Sequence, residues 1–300
     1  MGQILQQIIN ALQLGSIYAL IGIGYDMVYG IAKLINFAHG DIFMVSTYIL
    51  FFAGTAFIAL GFSSMFAFII AVLISMGATA LLAVAIERFA YRPLRAAPRV
   101  SAVITALSVG LILENLTLGL IGPEPKKMPK FIQRFTIATG SSLNLNSDQL
   151  IIIIAALIMM IILDRFVIKT KTGVAMRAVS HDKNASYLMG VSVDKIISIT
   201  FAIGAIAAAI SGALFTIAYP LIDPYMGITL GWWCFVAAVA GGIGNIRGAM
   251  LGGFILGFIM VFVPVFLPSS YRDLVAFLLL IIILVIKPSG ILGTIETQKV

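Results

Sequence analysis

The stretch Leu150-Ile-Ile-Ile-Ile-Ala-Ala-Leu-Ile-Met-Met-Ile-Ile-Leu163 decides the fold class. It carries no charged or hydrogen-bonding side chain, and apolar residues do not alternate with polar ones along it. Unpaired backbone amides are costly in hydrocarbon, so a chain crosses a bilayer either as helices or as a closed barrel. Barrel strands alternate apolar and polar positions over about ten residues. Neither this run nor Leu274 to Ile286 does so, and both read as helices. The whole chain agrees. Of its 300 residues 61% are hydrophobic and 10% charged, with mean hydropathy +1.12, whereas a soluble domain is roughly 25% charged. The expected fold is all-α: a polytopic transmembrane helical bundle forming one domain over 1–300.

At about 20 apolar residues per crossing, spans are expected near 8–30, 36–55, 65–86, 101–121, 149–167, 196–218, 228–243, 248–267 and 273–287. That makes nine, or eight if 36–55 is re-entrant. Charged loops at 87–99 and 165–195 separate the spans, and the longest polar connection is 122–148. Met1 to Gln7 contains no Lys or Arg, so the first apolar segment is expected to stay as a span rather than act as a cleaved signal. With nine crossings, Lys33, the basic residues of 88–99 and 165–195, Arg247, Lys287 and Lys299 share one side. Lys126, Lys127, Lys130, Arg134 and Arg272 remain on the other. The richer side is cytoplasmic by the positive-inside rule, which puts the C-terminus inside. The net charge of +7 is spread over these loops, which excludes a nucleic-acid surface.

Small residues recur at four-residue spacing: Ala11, Gly15 and Ala19; Gly204, Ala208 and Gly212; Gly244, Gly248 and Gly252, with Gly253 and Gly257 offset by one. Such stripes let helix backbones approach in lipid. They serve either as seams within one subunit or as subunit contacts.

The string Asn36-Phe37-Ala38-His39-Gly40-Asp41 is the first candidate for a conducting site. Asn36 is expected to N-cap a helix whose free amides would face an anionic carboxylate. The alternative is a helix end near the cytoplasmic interface where His39 and Asp41 satisfy one another or backbone groups. Glu114, beside Asn115 inside a span, is a functional suspect because intramembrane carboxylates are costly. A neutral or hydrogen-bonded Glu114 facing the bundle fits better than a proton relay. Gly241 to Gly253 lacks both the dinucleotide fingerprint and the Gly-Lys-Ser/Thr of a phosphate loop. It reads as a tight turn, with Asn245 at a membrane interface as a gate or a turn residue. Between 169 and 195, Thr172 is expected to N-cap a helix to Met189, which Gly190 stops. Two histidines, one cysteine and no metal-ligand spacing leave no catalytic constellation, metal site or cofactor site.

Four strings occur in order along the chain: Ile35 to Gly40, Glu87 to Pro93, Gly241 to Asn245, and Pro288 to Gly293. Together with Gly15 to Leu20 they resemble the permease family of bacterial branched-chain amino-acid ABC importers, the LivH-type subunit. The resemblance implies an inner-membrane, multi-pass subunit with no enzyme activity of its own. Its expected partners are a second homologous permease, two cytoplasmic ATPase subunits, a periplasmic amino-acid-binding protein and the lipid bilayer. The implied cargo is leucine, isoleucine and valine; other small amino acids, amides or urea, and an ion-coupled secondary transporter, are the alternatives. Asn36, Phe37, His39, Gly40, Asp41, Glu114 and Asn245 are then the expected pathway or gate. Gly173, Arg177, Ala178, Ala185, Leu188 and Gly190 are the expected ATPase-coupling residues, on the helix that seats in the ATPase. Loop 122–148 would be periplasmic.

Overall fold

The computed structural model describes residues 2–95, 97–139 and 144–293. Eleven helices account for most of them: α1 Gly2–Ala32, α2 His39–Ala59, α3 Ser64–Ile86, α4 Arg99–Ile121, α5 Ser147–Lys169, α6 Lys171–His181, α7 Lys183–Leu188, α8 Val193–Ala218, α9 Met226–Gly241, α10 Ile246–Phe266 and α11 Tyr271–Ile286. Among the described residues seven helices are long and apolar enough to cross a membrane, and α9 is a shorter apolar helix. The α-helical membrane bundle is as expected. Its strands are not. Four short ones, β1 Lys126–Lys127, β2 Thr136–Thr139, β3 Asn144–Asn146 and β4 Leu221–Ile222, form two antiparallel ribbons, β1 with β4 and β2 with β3. Both lie in the polar connections, where backbone groups without a helix still need partners.

Helix α1 is buried on every side from Leu14 to Val28. A helix apolar all round belongs at the centre of a bundle, and α5, α8, α9 and α10 pack around it. Its closest neighbour is α10, which runs antiparallel. Ala19 and Gly15 meet Gly253 and Gly257, and Gly30 meets Gly244. A Cβ on Gly253 would overlap the Ala19 backbone, and one on Gly257 would overlap that of Gly15. Gly248 and Gly252, one position away, press instead on Gly241 and Ala237 of α9. Gly204 lies on Gly24, and Gly212 sits under Ser46 and Thr47 of α2. The small-residue stripes therefore act as seams within the subunit.

The α9–α10 turn is built on Gly242 and Gly244, whose φ angles of 122° and 89° suit only glycine. Asn245 then N-caps α10: its side-chain oxygen accepts from the amides of Arg247 at 3.1 Å and Gly248 at 3.4 Å. Its amide nitrogen donates to the Leu292 carbonyl at 2.8 Å. The amides of Ile291 and Leu292 donate to Ala240 and Gly241, so the Pro288 to Gly293 string folds back onto the end of α9. Replacing Asn245 with alanine should lower the unfolding free energy by about 1 kcal/mol, the usual worth of an N-cap. Thermal unfolding in detergent measures this, and an unchanged midpoint would mean that water replaces the cap.

At the end of the bundle where α1 begins, the Asn144 amide donates to Gln6 at 3.0 Å, and Gln149 donates to Asn10 at 2.8 Å. Arg134 donates to the Ile217 carbonyl at 2.6 Å and pairs with Asp148 at 3.0 Å. This member of the 126–134 basic cluster thus serves the fold. Asp164 pairs across helices with Arg247 at 3.2 Å, and so α5 is tied to α10.

Candidate functional site

Helix α1 ends at Ala32, after which Lys33 takes a φ of 58° and the chain turns back into the bundle. Helix α2 begins at His39, whose ring reaches Gly24, about two turns back from the end of α1. Asn36 is not its N-cap. The cap position is Ala38, and the Asn36 side-chain oxygen instead accepts from the Tyr91 hydroxyl at 2.6 Å. Tyr91 belongs to a π turn, Glu87–Tyr91, which continues α3. In the same turn Glu87 is fully buried and pairs with Arg95, and its carboxylate accepts from Ser198 at 2.5 Å. Asp194 on α8 pairs with Arg92 and Arg95. The Glu87 to Pro93 string thereby joins α3, α8 and the approach to α2.

His39 and Asp41 do not satisfy each other. The His39 ring packs edge-on to Tyr25 at 4.7 Å, in space left by the missing side chain of Gly24, and its Nε2 is buried without a partner. Gly40 lets α2 cross α9 with backbone contact: its Cβ would overlap the Gly227 carbonyl. Gly231 lies on the same face, within reach of Gly40 and the Tyr25 hydroxyl. Asp41 fits between Gly110 of α4 and Gly227 of α9.

A cavity of about 220 Å³ opens here. Leu107, Gly110, Leu111 and Glu114 line it from one face of α4, and Gly227, Ile228, Gly231, Trp232 and Phe235 from one face of α9. Asp41, Phe37 and Tyr25 complete the lining. The Phe37 ring lies 5.6 Å from Trp232 and 5.2 Å from Phe235. The structure thus brings together Phe37, Gly40, Asp41 and Glu114, with His39 behind Tyr25. Asn36 and Asn245 are elsewhere, as a partner of Tyr91 and as a helix cap. The sequence reading overlooks Tyr25, Trp232 and Phe235, which look like ordinary core residues. It also overlooks Asp26, whose carboxylate accepts from the Gly244 amide at 3.0 Å and ties α1 to the α9–α10 turn. The rule that selects an acid inside a span selects Asp26 as well.

The 169–195 segment holds two helices rather than one. Thr170, not Thr172, caps α6 by accepting from the Gly173 amide at 3.0 Å. The helix stops at Asp182, whose backbone is extended and whose carboxylate caps α7 through the amides of Asn184 and Ala185 at 2.8 and 2.9 Å. Gly190 ends the pair with a φ of 82°, as expected. Gly173, Met176 and Val179 form the buried face of α6. Gly173 is therefore a packing residue: its Cβ would overlap the Phe166 and Val167 carbonyls. Arg177, Ala178, Ala185, Leu188 and Gly190 are exposed, as are Tyr187 and Met189. Lys183 donates to the Ala32 carbonyl at 3.3 Å. Burial, with Arg95 and Lys33 nearby, holds its ammonium below the ordinary lysine range. The elbow between α6 and α7 also borders a cavity of about 850 Å³ shared with Tyr29, Leu34, Ile35 and Ala102.

A family described as the permease component of the branched-chain amino acid transport system matches residues 7–284. The chain belongs to that family. It is 39% identical over 300 residues to the high-affinity branched-chain amino acid transport system permease protein BraD of Pseudomonas aeruginosa, covering 99% of this chain and 98% of that protein. It is 39% identical to LivH of Salmonella typhimurium and 38% identical to LivH of Escherichia coli K12, each match covering 99% of the permease described here and 97% of the relative. No solved structure matches it. The ion-coupled alternative is not favoured by these relatives.

Proposed function

We propose that this permease forms one half of the pathway for leucine, isoleucine and valine through a bacterial inner membrane. It works beside a second homologous permease, two ATPase subunits that hydrolyse ATP on the cytoplasmic side, and a periplasmic binding protein that delivers cargo. In this reading the seven long helices cross, and the shorter α9 and α11 cross as well. The α6–α7 elbow and the C-terminus face the cytoplasm, and the two β-ribbons face the periplasm. Helices α9 and α11 have 16 residues each, about 24 Å at 1.5 Å per residue. Short non-helical flanks make up the remaining thickness.

The observation that carries the reading is the continuous path from elbow to cavity. An ATPase seated on the exposed ridge of Ala178, Ala185 and Leu188 moves the elbow. The elbow holds the end of α1 through Lys183 and borders residues 34–35, which lead directly into α2. A push there tilts the start of α2 against α9, opening or closing the cavity around Asp41. Such a rigid-element shift needs two packed arrangements rather than a flexible hinge.

The test is uptake of labelled leucine by proteoliposomes holding the permease with its partner subunits, ATP and the binding protein. ATP-dependent leucine accumulation is expected, and its absence with a different amino acid accumulating would overturn the cargo. In the same vesicles Ala178→Trp and Asp182→Ala should each lower the leucine moved per ATP hydrolysed by several-fold. The first blocks the docking ridge and the second removes a cap worth about 1 kcal/mol. An unchanged ratio in both variants would remove the elbow from the mechanism.

A further inference from the structure

We propose that the cavity between α2, α4 and α9 holds the ammonium group of an amino acid in transit, with the amino acid's apolar side chain against the aromatic wall. This rests on the amino-acid permease reading above and adds the end of the cargo that the site reads.

Asp41 is 6% exposed, lines the cavity, and has an Oδ1 with no hydrogen-bond partner. A buried carboxylate in that condition is expensive unless a donor or a cation meets it. Glu114 borders the same cavity and is close enough for its charge to act on Asp41. Two carboxylates facing one small space repel each other when it is empty, and a cation between them turns the repulsion into attraction. An ammonium brings three N–H donors and satisfies both.

The other end of an amino acid meets no side-chain cation among the described lining residues, only the Tyr25 hydroxyl and the first turn of α9 at Gly227 and Ile228, beside two carboxylates that would repel it. Of the amides expected to greet a carboxylate at the start of α2, that of His39 donates to the Asn36 carbonyl at 3.1 Å and that of Gly40 faces the Tyr25 hydroxyl. Among the described residues no Lys or Arg lines the cavity. Phe37, Trp232 and Phe235 supply both a surface for a branched side chain and ring faces that attract a cation. The volume of about 220 Å³ lies below that of drug-sized sites, roughly 300 Å³ and more, and suits one small molecule.

The experiment measures tritiated leucine binding to the complete permease–ATPase complex in nanodiscs, without the binding protein. Two competitors each keep one end of leucine: isopentylamine has the ammonium, and 4-methylpentanoate has the carboxylate. Isopentylamine is expected to displace leucine and 4-methylpentanoate is not. Asp41→Asn and Glu114→Gln should each weaken leucine binding by at least about tenfold, the change that 1.4 kcal/mol gives. Sodium in place of choline should not displace leucine; if it does so as well as isopentylamine, the site belongs to an inorganic cation. Displacement by 4-methylpentanoate, unchanged binding in Asp41→Asn, or no leucine binding at about 10 mM would each overturn the proposal. ATP-driven leucine uptake by the wild-type complex stands apart from these results. If uptake is present and the competition is reversed, only the ammonium assignment fails.

Discussion

Replacing Gly253 with leucine is expected to remove nearly all correctly folded permease from detergent extracts. A Cβ there would overlap the Ala19 backbone nitrogen and Cα. These are atoms of the central helix, and no flexible side chain can swing aside. Relief requires α10 to move away from α1, which also parts Gly257 from Gly15 and leaves gaps along the seam of the central helix. Overpacking a core typically costs about 1–3 kcal/mol when side chains can adjust. Here two backbones must separate, so the cost should reach several kcal/mol, a large share of the roughly 5–15 kcal/mol that holds a protein folded. The control is Gly77→Leu on α3, where nothing lies within 4 Å of the added Cβ. It should be neutral, or stabilising by up to about 1 kcal/mol, because leucine favours helix over glycine. The monodisperse fraction on size exclusion and the unfolding midpoint measure both. Equal yields from the two variants would mean that the seam contributes little.

The helices were legible in the sequence because lipid leaves the backbone no alternative, and their ends fell close to the expected places. The glycine stripes were legible too, but their partners were not. Gly252 and Gly253 differ by one position, which on a helix turns them about 100° apart, so one faces α9 and the other α1. Local rules failed where a distant residue intervened. Asn36 has the chemistry of an N-cap, yet Tyr91, 55 positions later, takes its side-chain oxygen. Glu114 looked isolated among acids because only the folding of α4 beside α2 brings Asp41 to it. The break at Asp182 was available locally: an acid followed by Lys183, Asn184 and Ala185 is an ordinary helix start. The apolar residues on either side made a single helix the simpler pattern.

Gly40→Ala is expected to lower leucine uptake by at least about tenfold while the complex still assembles; in barrier terms that is about 1.4 kcal/mol or more. The added methyl would overlap the Gly227 carbonyl and come within 2.7 Å of the Gly231 Cα. Both belong to α9, so the start of α2 must move away from it, and Asp41 moves with it because it is the next residue. The α1–α10 seam lies elsewhere and keeps the bundle together, which separates this variant from Gly253→Leu. Gly231→Ala addresses the same crossing more gently. Its Cβ would meet the Gly40 Cα and the Tyr25 hydroxyl at 3.1 Å, distances that a shift of a few tenths of an ångström relieves. Uptake should therefore fall in the order wild type, Gly231→Ala, Gly40→Ala. ATPase-subunit co-purification should stay equal in all three, because the elbow at Asp182 is untouched. If Gly40→Ala transports as well as wild type, the α2–α9 crossing does not gate the pathway. Loss of both uptake and assembly would make it a structural seam like the first.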